Sequence, residues 1–279
     1  MNKKILAAIM AVALLTLGLA GCASNKDAAA TANEEKYEIL AEELATEEYG
    51  IGFRKGDALC EQVNAALQVL KANGTVEEIS TEWFGEDITI IEADASALDD
   101  IEIEAGRTLI MGLDDSFPPM GYRDSTNEII GFDIDLAQAV CDHLGWTLKL
   151  QQIDWSAKEM ELESKNIDCI WNGMTLTEER MESMSCTAPY LANSQILVVM
   201  ADSGITSLDD LAGKSIALQT GSSAEDALDG AESFKESLGS FYTYSNNLEC
   251  FMDLEQGGVD AVLVDSIVAD WYITTGNAD

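Results

Sequence analysis

The sequence has few basic residues, almost no histidine and little proline. Its 279 residues include 15 Lys and Arg against 51 Asp and Glu, which gives a formal net charge of −36. Such a charge repels nucleic acid and anionic lipid headgroups, so both are excluded as partners of the folded part. Because there is one histidine, His143, and no Cys-x-x-Cys pair, neither a metal site nor a cofactor is expected.

The six cysteines do not form a disulfide framework. One of them, Cys22, belongs to the N-terminal segment, and the other five cannot all pair within one chain because their number is odd. Three of these five fall among apolar neighbours, which is typical of free thiols in a core. We therefore expect free thiols at the five positions Cys60, Cys141, Cys169, Cys186 and Cys250.

The N-terminal segment carries the apolar run Ile5 to Ala20, which follows Lys3 and Lys4 and is short for a transmembrane helix. The end of the run overlaps the motif "LAGC" (Leu19 to Cys22), which resembles the lipobox of bacterial lipoprotein precursors. A secretory signal with a chance cysteine is the alternative. The resemblance implies a signal peptide at 1–21, a lipidated Cys22 as the new N-terminus and a small, polar, flexible tether at 22–35. The protein is then extracytoplasmic and touches the membrane only through its lipid.

The remaining chain alternates between short apolar strands and helices. "TLIMGL" and "VDAVLVD" are typical of buried strands, while "GFDIDLAQAVCDHLG" has helical spacing of its apolar residues. Alternation of this kind predicts parallel sheets with helices on both faces, and its restart after "SQILVVM" predicts two lobes. One strand has no partner before it, because "EEYGIGFRKGD" (Glu47 to Asp57) is predicted to be extended and to end in a turn.

The stretches "MGLDDSFPPMGYRD", "GFDIDLAQAV", "NIDCIWNGMTLTEER", "DLAGKSIALQTGSS" and "GGVDAVLVDSIVADWYI" resemble the solute-binding proteins of bacterial ABC importers for polar amino acids, the family 3 type. Their order and spacing between residues 96 and 279 are those of that family. The resemblance implies an α/β fold, the two-lobed periplasmic-binding-protein fold of type II. In that fold two parallel or mixed sheets with flanking helices are joined by two crossover strands.

Residues 36–88 resemble the C-terminal portion of the same family, which ordinarily follows "VADWYI". The segments are therefore present in rotated order, and the chain resembles a circular permutant whose old ends are joined through an acidic connector. The crossover strands would be Glu48–Lys55 and about Tyr190–Met200. Lobe one is then expected at 55–191, and lobe two is expected from 36–54 together with 192–279. A fused gene or a fragment of a tandem protein is the alternative.

The resemblance implies a monomeric receptor that binds a free polar amino acid by hinge closure between its lobes and delivers it to an ABC transporter permease. Enzymatic activity is not expected, although a dehydratase-like enzyme on the same fold is one alternative. An amino-acid sensing module without a transport partner is another. Glutamine, arginine, lysine and cystine all stay open as ligands.

A site for a free amino acid needs a cation for the carboxylate and an anion for the ammonium. The resemblance gives the first role to Arg180, whose fork can bind a carboxylate in a bidentate way. It assigns the ammonium to Asp265, at the end of a strand, and further contacts to Thr175 and the backbone around Gly173. Without the resemblance, the alternative roles are a solvent-exposed charge on a helix for Arg180 and an N-terminal cap of the next helix for Asp265.

The other expected ligand contacts come from a turn, two aromatic residues and one further carboxylate. The turn "QTGSS" presents Gln219, Gly221 and Ser223 at a helix N-terminus, where backbone N–H groups suit a carboxylate. Phe117 and Trp155 resemble the family's aromatic walls around the ligand side chain. Asp114 resembles the position that reads the far end of that side chain, where a carboxylate favours an amide, a guanidinium or an ammonium.

Overall fold

The computed structural model describes residues 36–275. The signal peptide and tether expected at 1–35, with Cys22, lie outside the described residues, as do 276–279. Within 36–275, no helix is long and apolar enough to cross a membrane. The longer strands of the described residues are β1 (Tyr37–Phe53), β2 (Thr108–Leu113), β6 (Thr147–Gln152), β7 (Cys169–Thr175), β9 (Leu191–Met200), β10 (Ser215–Gln219), β11 (Ser240–Tyr244) and β12 (Ala261–Asp265).

Helices alternate with these strands along the described chain. They are α1 (Leu59–Ala72), α2 (Thr75–Phe84), α3 (Phe132–Leu144), α4 (Lys158–Glu163), α5 (Glu178–Ser183), α6 (Ser223–Gly230), α7 (Glu232–Ser237), α8 (Asn247–Glu255) and α9 (Ser266–Thr275). The short strands are β3 (Ser116–Phe117), β4 (Gly121–Arg123), β5 (Ile129–Ile130) and β8 (Ser185–Cys186). The expected alternation of strands and helices from Thr108 onward is confirmed.

The long strands form one continuous sheet in the order β11-β10-β12-β9-β1-β7-β2-β6, and β8 pairs with β1 at its side. We call β12, β10 and β11 the β11 half of the sheet, and β7, β2 and β6 the β6 half. Within each half the strands are parallel, as expected for strands joined through helices. The sequence predicts two sheets, but β1 and β9 also pair with each other and so join the halves into one.

β1 is longer than the sequence predicts. The strand begins at Tyr37, ten residues before the predicted start at Glu47, and it ends at Phe53, before the predicted turn. It pairs antiparallel with β9 from Tyr37 to Tyr49 and with β7 from Tyr49 to Phe53. The added residues form a strand because β9 supplies their hydrogen-bonding partners from far along the chain. β1 and β9 therefore both run across the middle of the sheet.

The apolar residues pack into three clusters on the two faces of the sheet. The largest contains Tyr49 and Phe53 of β1, helices α1 to α3, and residues of α8 and α9, and so covers both halves on one face. A second cluster lies under α6, and a third gathers around Trp155 and Ile170. In β9, Val198 belongs to the first cluster and Leu197 to the second, which explains the unbroken apolar run "ILVV". Full burial of each such side chain contributes about 1.5–3 kcal/mol.

The acidic connector between α2 and β2 lies along the folded body. Ile88, Ile91, Leu98 and Ile103 pack against the largest apolar cluster. Ile90 N donates to the carbonyl of Tyr190 at 3.0 Å, and residue 89 forms a bridge with Leu191 at the start of β9. Most carboxylate side chains of the connector, including the consecutive exposed stretch 92–96, face solvent, while its apolar residues make this contact.

Candidate functional site

A row of polar side chains lies across the middle of the sheet on one face. In the antiparallel pairs, Tyr49 faces Thr175, Glu47 faces Asn193 and Asp265 faces Gln195. Residues that face each other across such a pair point to the same side of the sheet. The register of four strands, β7, β1, β9 and β12, thus assembles a polar floor from residues that are far apart in sequence.

Eight of the ten predicted ligand residues line one cavity above this floor, together with Ser222. The cavity lies between the β6 half and the β11 half of the sheet. Its lining from the prediction is Phe117, Trp155, Gly173, Thr175, Arg180, Gln219, Ser223 and Asp265. The remaining two, Asp114 and Gly221, contact lining residues, Gln219 and Arg180. The structure therefore brings all ten positions together, while their roles in binding stay a prediction.

The aromatic wall of the cavity needs glycine at position 173. Gly173 has a φ of +60°, and a Cβ at this position would lie 2.7 Å from Phe117 Cε1 and 3.2 Å from Tyr49 Cε2. Its backbone N–H donates to Asp133 Oδ2 at 2.8 Å, and this hydrogen bond holds the backbone of β7 in place at Gly173. A side chain at this position would displace the Phe117 ring from the cavity.

Arg180 lies in the first turn of α5 and is 7% exposed. Its Nη1 donates to the carbonyl of Thr175 at 3.0 Å, and its Nη2 to the carbonyl of Gly221 at 3.5 Å. Among residues 36–275, no carboxylate forms an ion pair with this guanidinium. A buried guanidinium that donates only to carbonyl groups has electrostatic capacity left for an anion.

Lys158 is a second buried cation next to Arg180, and the sequence reasoning missed it. Its Nζ donates to the carbonyl of Gly221 at 2.8 Å and lies 3.2 Å from Glu159 Oε1. Burial, followed by the positive charge of Arg180, lowers the pKa of Lys158 below its usual range. The sequence signal that could have identified Lys158 is its position three residues after Trp155, at the start of a helix. The Gly221 carbonyl thus accepts from both cations and connects the β11 half to the β6 half.

Asp265 is buried at the floor of the cavity, at the C-terminal end of β12. Its Oδ1 accepts from the Tyr49 hydroxyl at 2.7 Å and from Asn193 Nδ2 at 2.7 Å. Burial, and then the charge of Glu47, raises the pKa of Asp265 to about 7. A carboxylate at the end of a parallel strand, facing a cleft, is well placed to meet a cationic group of a ligand.

Glu47 is the acceptor at the centre of the polar floor, and the sequence reasoning did not single it out. Its Oε2 accepts from Thr175 Oγ1, Asn193 Nδ2 and Gln195 Nε2, each at 3.0 Å. No local signal marks this residue, because its neighbours come from β7 and β9. Its role depends on the register of strands about 130–150 residues away in the chain.

Asp114 lies at the outer end of the cavity, beyond Gln219. Its Oδ2 accepts from Gln219 Nε2 at 2.7 Å, and its Oδ1 accepts from the backbone and hydroxyl of Ser116. Burial raises the pKa of Asp114 above its usual range. The residue also lines a neighbouring cavity with Asp154 and Trp155. Trp155 therefore belongs to the lining of both cavities.

The N-terminus of α6 forms the wall opposite Arg180. Ser222 caps the helix by accepting from Ala224 N at 3.2 Å, and its hydroxyl donates to the carbonyl of Gln219 at 2.8 Å. Ser223 Oγ lies 3.0 Å from Thr175 Oγ1, so that a hydrogen bond joins the two halves across the cavity floor. The helix N-terminus and Arg180 together favour a negative group between them.

Cysteines and metal ligands take no part in this site. The five cysteines at 60, 141, 169, 186 and 250 are free thiols, as the sequence predicts. Within the described part of the chain, no group of three or more His, Cys, Asp or Glu side chains is arranged to hold a metal ion. The residues that line the cavity supply a guanidinium, a carboxylate, an amide, hydroxyl groups and aromatic rings.

Comparison with known proteins gives consistent matches. The sequence model of bacterial extracellular solute-binding proteins, family 3, matches residues 109–243. The arginine-binding extracellular protein ArtP of Bacillus subtilis is 32% identical over 177 residues, which cover 62% of this chain and 68% of that protein. The L-cystine-binding protein TcyJ of Escherichia coli is 30% identical, over 58% of this chain and 60% of that protein.

Solved structures match as well. A substrate-binding protein of an ABC uptake transporter from Streptococcus pneumoniae, with bound histidine, has a TM-score of 0.59 and 35% identity, over 61% of this chain and 70% of that chain. An ancestral arginine-binding protein bound to arginine has a TM-score of 0.57 and 35% identity, over 63% and 77% of the two chains. An ancestral amino-acid-binding protein described as a precursor of cyclohexadienyl dehydratase has a TM-score of 0.57 and 31% identity.

Proposed function

Since the chain belongs to the bacterial extracellular solute-binding proteins of family 3, we propose that it is an amino-acid receptor whose ligand lies in the cavity between the two halves of the sheet. The ten predicted residues and Ser222 form the binding site. Lobe one comprises 55–191, and lobe two comprises 36–54 with 192–279. The two lobes close on the ligand by bending in the crossover strands β1 and β9.

The observation that carries this proposal is the buried guanidinium of Arg180, which has no carboxylate partner among the described residues. A ligand α-carboxylate between Arg180 and the N-terminus of α6 supplies the missing charge. Asp265, buried on the opposite side of the cavity floor, then pairs with the α-ammonium. This cation and this anion line the same cavity and complement the two charges that every free amino acid carries.

The ligand we propose has a cationic side chain, with arginine as the first candidate. Arg180 is accompanied by three carboxylates, Glu47, Asp114 and Asp265, whereas the second cation, Lys158, is already paired with Glu159. A ligand of net positive charge reduces this excess of negative charge in the site. A guanidinium held between Phe117 and Trp155 reaches Asp114, and several relatives are named for arginine. Glutamine, lysine and cystine are the competing ligands.

Hydrogen bonds between the two lobes support the proposed closing motion. Thr175 and Ser223 hydrogen-bond across the cavity, and Gly221 of lobe two accepts from Arg180 and Lys158 of lobe one. A ligand that bridges the same groups biases an equilibrium between open and closed arrangements. This mechanism needs no chemical step, so we propose binding without catalysis, by a monomer that passes its ligand to an ABC transporter permease. A sensing module is the alternative for a protein with no permease partner.

The rotated order of segments is also part of the proposal. β1 lies beside β9, as the proposed second crossover requires, although it comes first in the described chain. The match to known structures covers 61% of this chain and 70% of the Streptococcus protein, and this limited coverage fits an order that changes along the chain. A circular permutation explains both observations, because the paired strands keep their places while the chain ends move.

The test of the binding site is calorimetric titration of Arg180→Ala with arginine, glutamine, lysine and cystine. Loss of the guanidinium leaves the ligand carboxylate unpaired, which costs roughly 3–5 kcal/mol. Affinity for the bound amino acid should fall by about two to four powers of ten. Asp114→Asn is the control, since it should change which amino acid binds rather than whether one binds. Near-normal binding by Arg180→Ala contradicts the proposal.

Membrane attachment is predicted to depend on Cys22. If "LAGC" directs lipidation, Cys22→Ala should release the protein into the medium, because the mature chain then has no lipid. Mass spectrometry of the membrane-bound wild type should show a chain that begins at a lipidated Cys22. Unchanged membrane association of the variant rejects the lipid anchor while leaving the binding site unaffected.

A further inference from the structure

The two carboxyl groups of the cavity floor share one donor. Asn193 Nδ2 lies 2.7 Å from Asp265 Oδ1 and 3.0 Å from Glu47 Oε2, so the amide stands between them. The Tyr49 hydroxyl supplies the second hydrogen bond to Asp265, and hydroxyl and amide groups supply the others to Glu47. Two acids, the buried Asp265 and the partly exposed Glu47, are thus held close together by neutral donors alone.

Charged groups from the surrounding elements do not neutralise this pair. Arg180 of α5 lines the same cavity but donates to backbone carbonyls, and Lys158 of α4 pairs with Glu159. Asp114, at the end of β2, adds a third acid beyond Gln219. Within residues 36–275, neither Glu47 nor Asp265 takes part in an ion pair. Two adjacent carboxylates without a cation repel each other, and the burial of Asp265 adds to the cost of its charged form.

We propose that Asp265 carries a proton, that Glu47 holds it there, and that the α-ammonium of an entering amino acid displaces it. The inference rests on the proposed function and adds a role for Glu47 that acts through Asn193 and Asp265. The exchange is balanced, because the ligand stays an ammonium, Asp265 becomes its carboxylate partner, and one proton passes to solvent. Glu47 is thereby a positioning residue for the ammonium end of the site.

Two properties follow from this exchange. Burial and the charge of Glu47 raise the pKa of Asp265 to about 7, so below this pH each binding event must release a proton. Affinity for an amino acid should then fall by about tenfold for each pH unit below about 7 and should level off above it. A ligand that lacks the α-amino group cannot replace the proton, so the site should select for α-amino acids.

The first experiment is calorimetric titration of the whole protein with L-arginine, in buffers of different ionisation enthalpy, at about pH 6 and about pH 8. The wild type should release about one proton per arginine at the lower pH and close to none at the higher pH. 5-Guanidinopentanoate, which lacks only the α-amino group, should release none at either pH. An absence of proton release by arginine at the lower pH overturns the inference.

Glu47→Gln tests the role of the neighbouring carboxylate. The glutamine oxygen can accept the same three hydrogen bonds, while the negative charge is gone, so proton release near pH 6 should fall below that of the wild type. Glu48→Gln is the matched control, because Glu48 is the next residue on the same strand, with an exposed side chain. Equal proton release by wild type and Glu47→Gln, with the pH profile unchanged, rejects the role of Glu47.

A measurement without ligand separates this inference from the proposed function. The infrared difference spectrum between wild type and Asp265→Asn at about pH 6 isolates the Asp265 carboxyl group from other buried acids. A band of a protonated carboxyl should appear, weaken in Glu47→Gln and persist in Glu48→Gln. Failure of arginine and the other amino acids to bind would count against the proposed function. Absence of the band would count against the proton on Asp265 alone.

Discussion

At the scale of single residues, this acidic protein contains carboxyl groups of two kinds. Those at the surface, such as Asp87, Asp210 and Asp260, accept hydrogen bonds that lower their pKa. Those inside, Asp133 and Asp265, have a pKa raised to about 7 by burial. Asp133 supports the cavity from below through Gly173 N and the Tyr190 hydroxyl, at 2.8 and 2.9 Å. Folding therefore favours the protonated form of these two acids.

Asp133→Asn should alter the pH dependence of stability. An acid whose pKa is raised on folding stabilises the folded state at low pH, and this contribution is lost as pH rises from about 4 to about 7. Because asparagine does not ionise, the variant should gain stability relative to wild type over this range, by about 1.4 kcal/mol per pH unit. Urea unfolding at several pH values measures this difference.

The control for this measurement is Asp202→Asn, at an exposed position outside the strands and helices. Its stability relative to wild type should not change with pH. If the difference between Asp133→Asn and wild type were also constant across the range, the buried carboxyl would not be protonated in the folded protein.

At the scale of elements, β1 is a longer strand with more pairing partners than its local sequence predicts. Residues 38–46, "EILAEELAT", contain several good helix formers, yet they form a strand because β9 lies alongside. Gly50 lets β1 approach the chain that follows β7, since a Cβ there would lie 2.5 Å from Leu176 Cδ2. Pairing with β9 on one side and β7 on the other makes this strand the joint of the sheet.

Cleavage of the connector should leave the two pieces of the chain together. A protease site placed between Ala95 and Ser96, where both side chains are exposed, separates 36–95 from 96–279 after cutting. β1, α1 and α2 should stay bound through strand pairing and the shared apolar cluster. Native size-exclusion chromatography should show one species, whereas denaturing electrophoresis shows two. Separation under native conditions would mean that 36–95 is an independent unit.

At the scale of the whole molecule, chain order and spatial order differ. The first strand of the described chain occupies the centre of the sheet, while the strands that follow it fill both sides. The connector, which is acidic and partly apolar, covers the body between α2 and β2 instead of forming an element of the sheet. Because the first strand of the described chain lies at the centre of the sheet, the chain ends can be moved to the connector without loss of any strand pair.

A rearranged chain tests this property. Residues 96–279 placed first, followed by a flexible glycine-serine linker and residues 36–95, restore the order that the family resemblance implies. Every strand pair and the whole cavity are retained, so the rearranged protein should fold and bind its amino acid within about threefold of wild-type affinity, a change of less than ~1 kcal/mol. Loss of folding in this chain, with a longer linker giving no rescue, rejects the permutation.

The sequence alone predicted the alternation of strands and helices and the free cysteines, and its resemblance to a known family indicated the ten site residues that the structure brings together. The alternation follows from periodicity, whereas the site residues come from family motifs whose members lie close together, as Thr175 and Arg180 do. The tertiary structure alone decided the single sheet, the length of β1 and the roles of Glu47, Asn193 and Lys158. The physical reason is that strand pairing and the charge around a buried carboxyl depend on neighbours brought from distant parts of the chain. No local pattern records which carboxylate comes to lie beside Asp265.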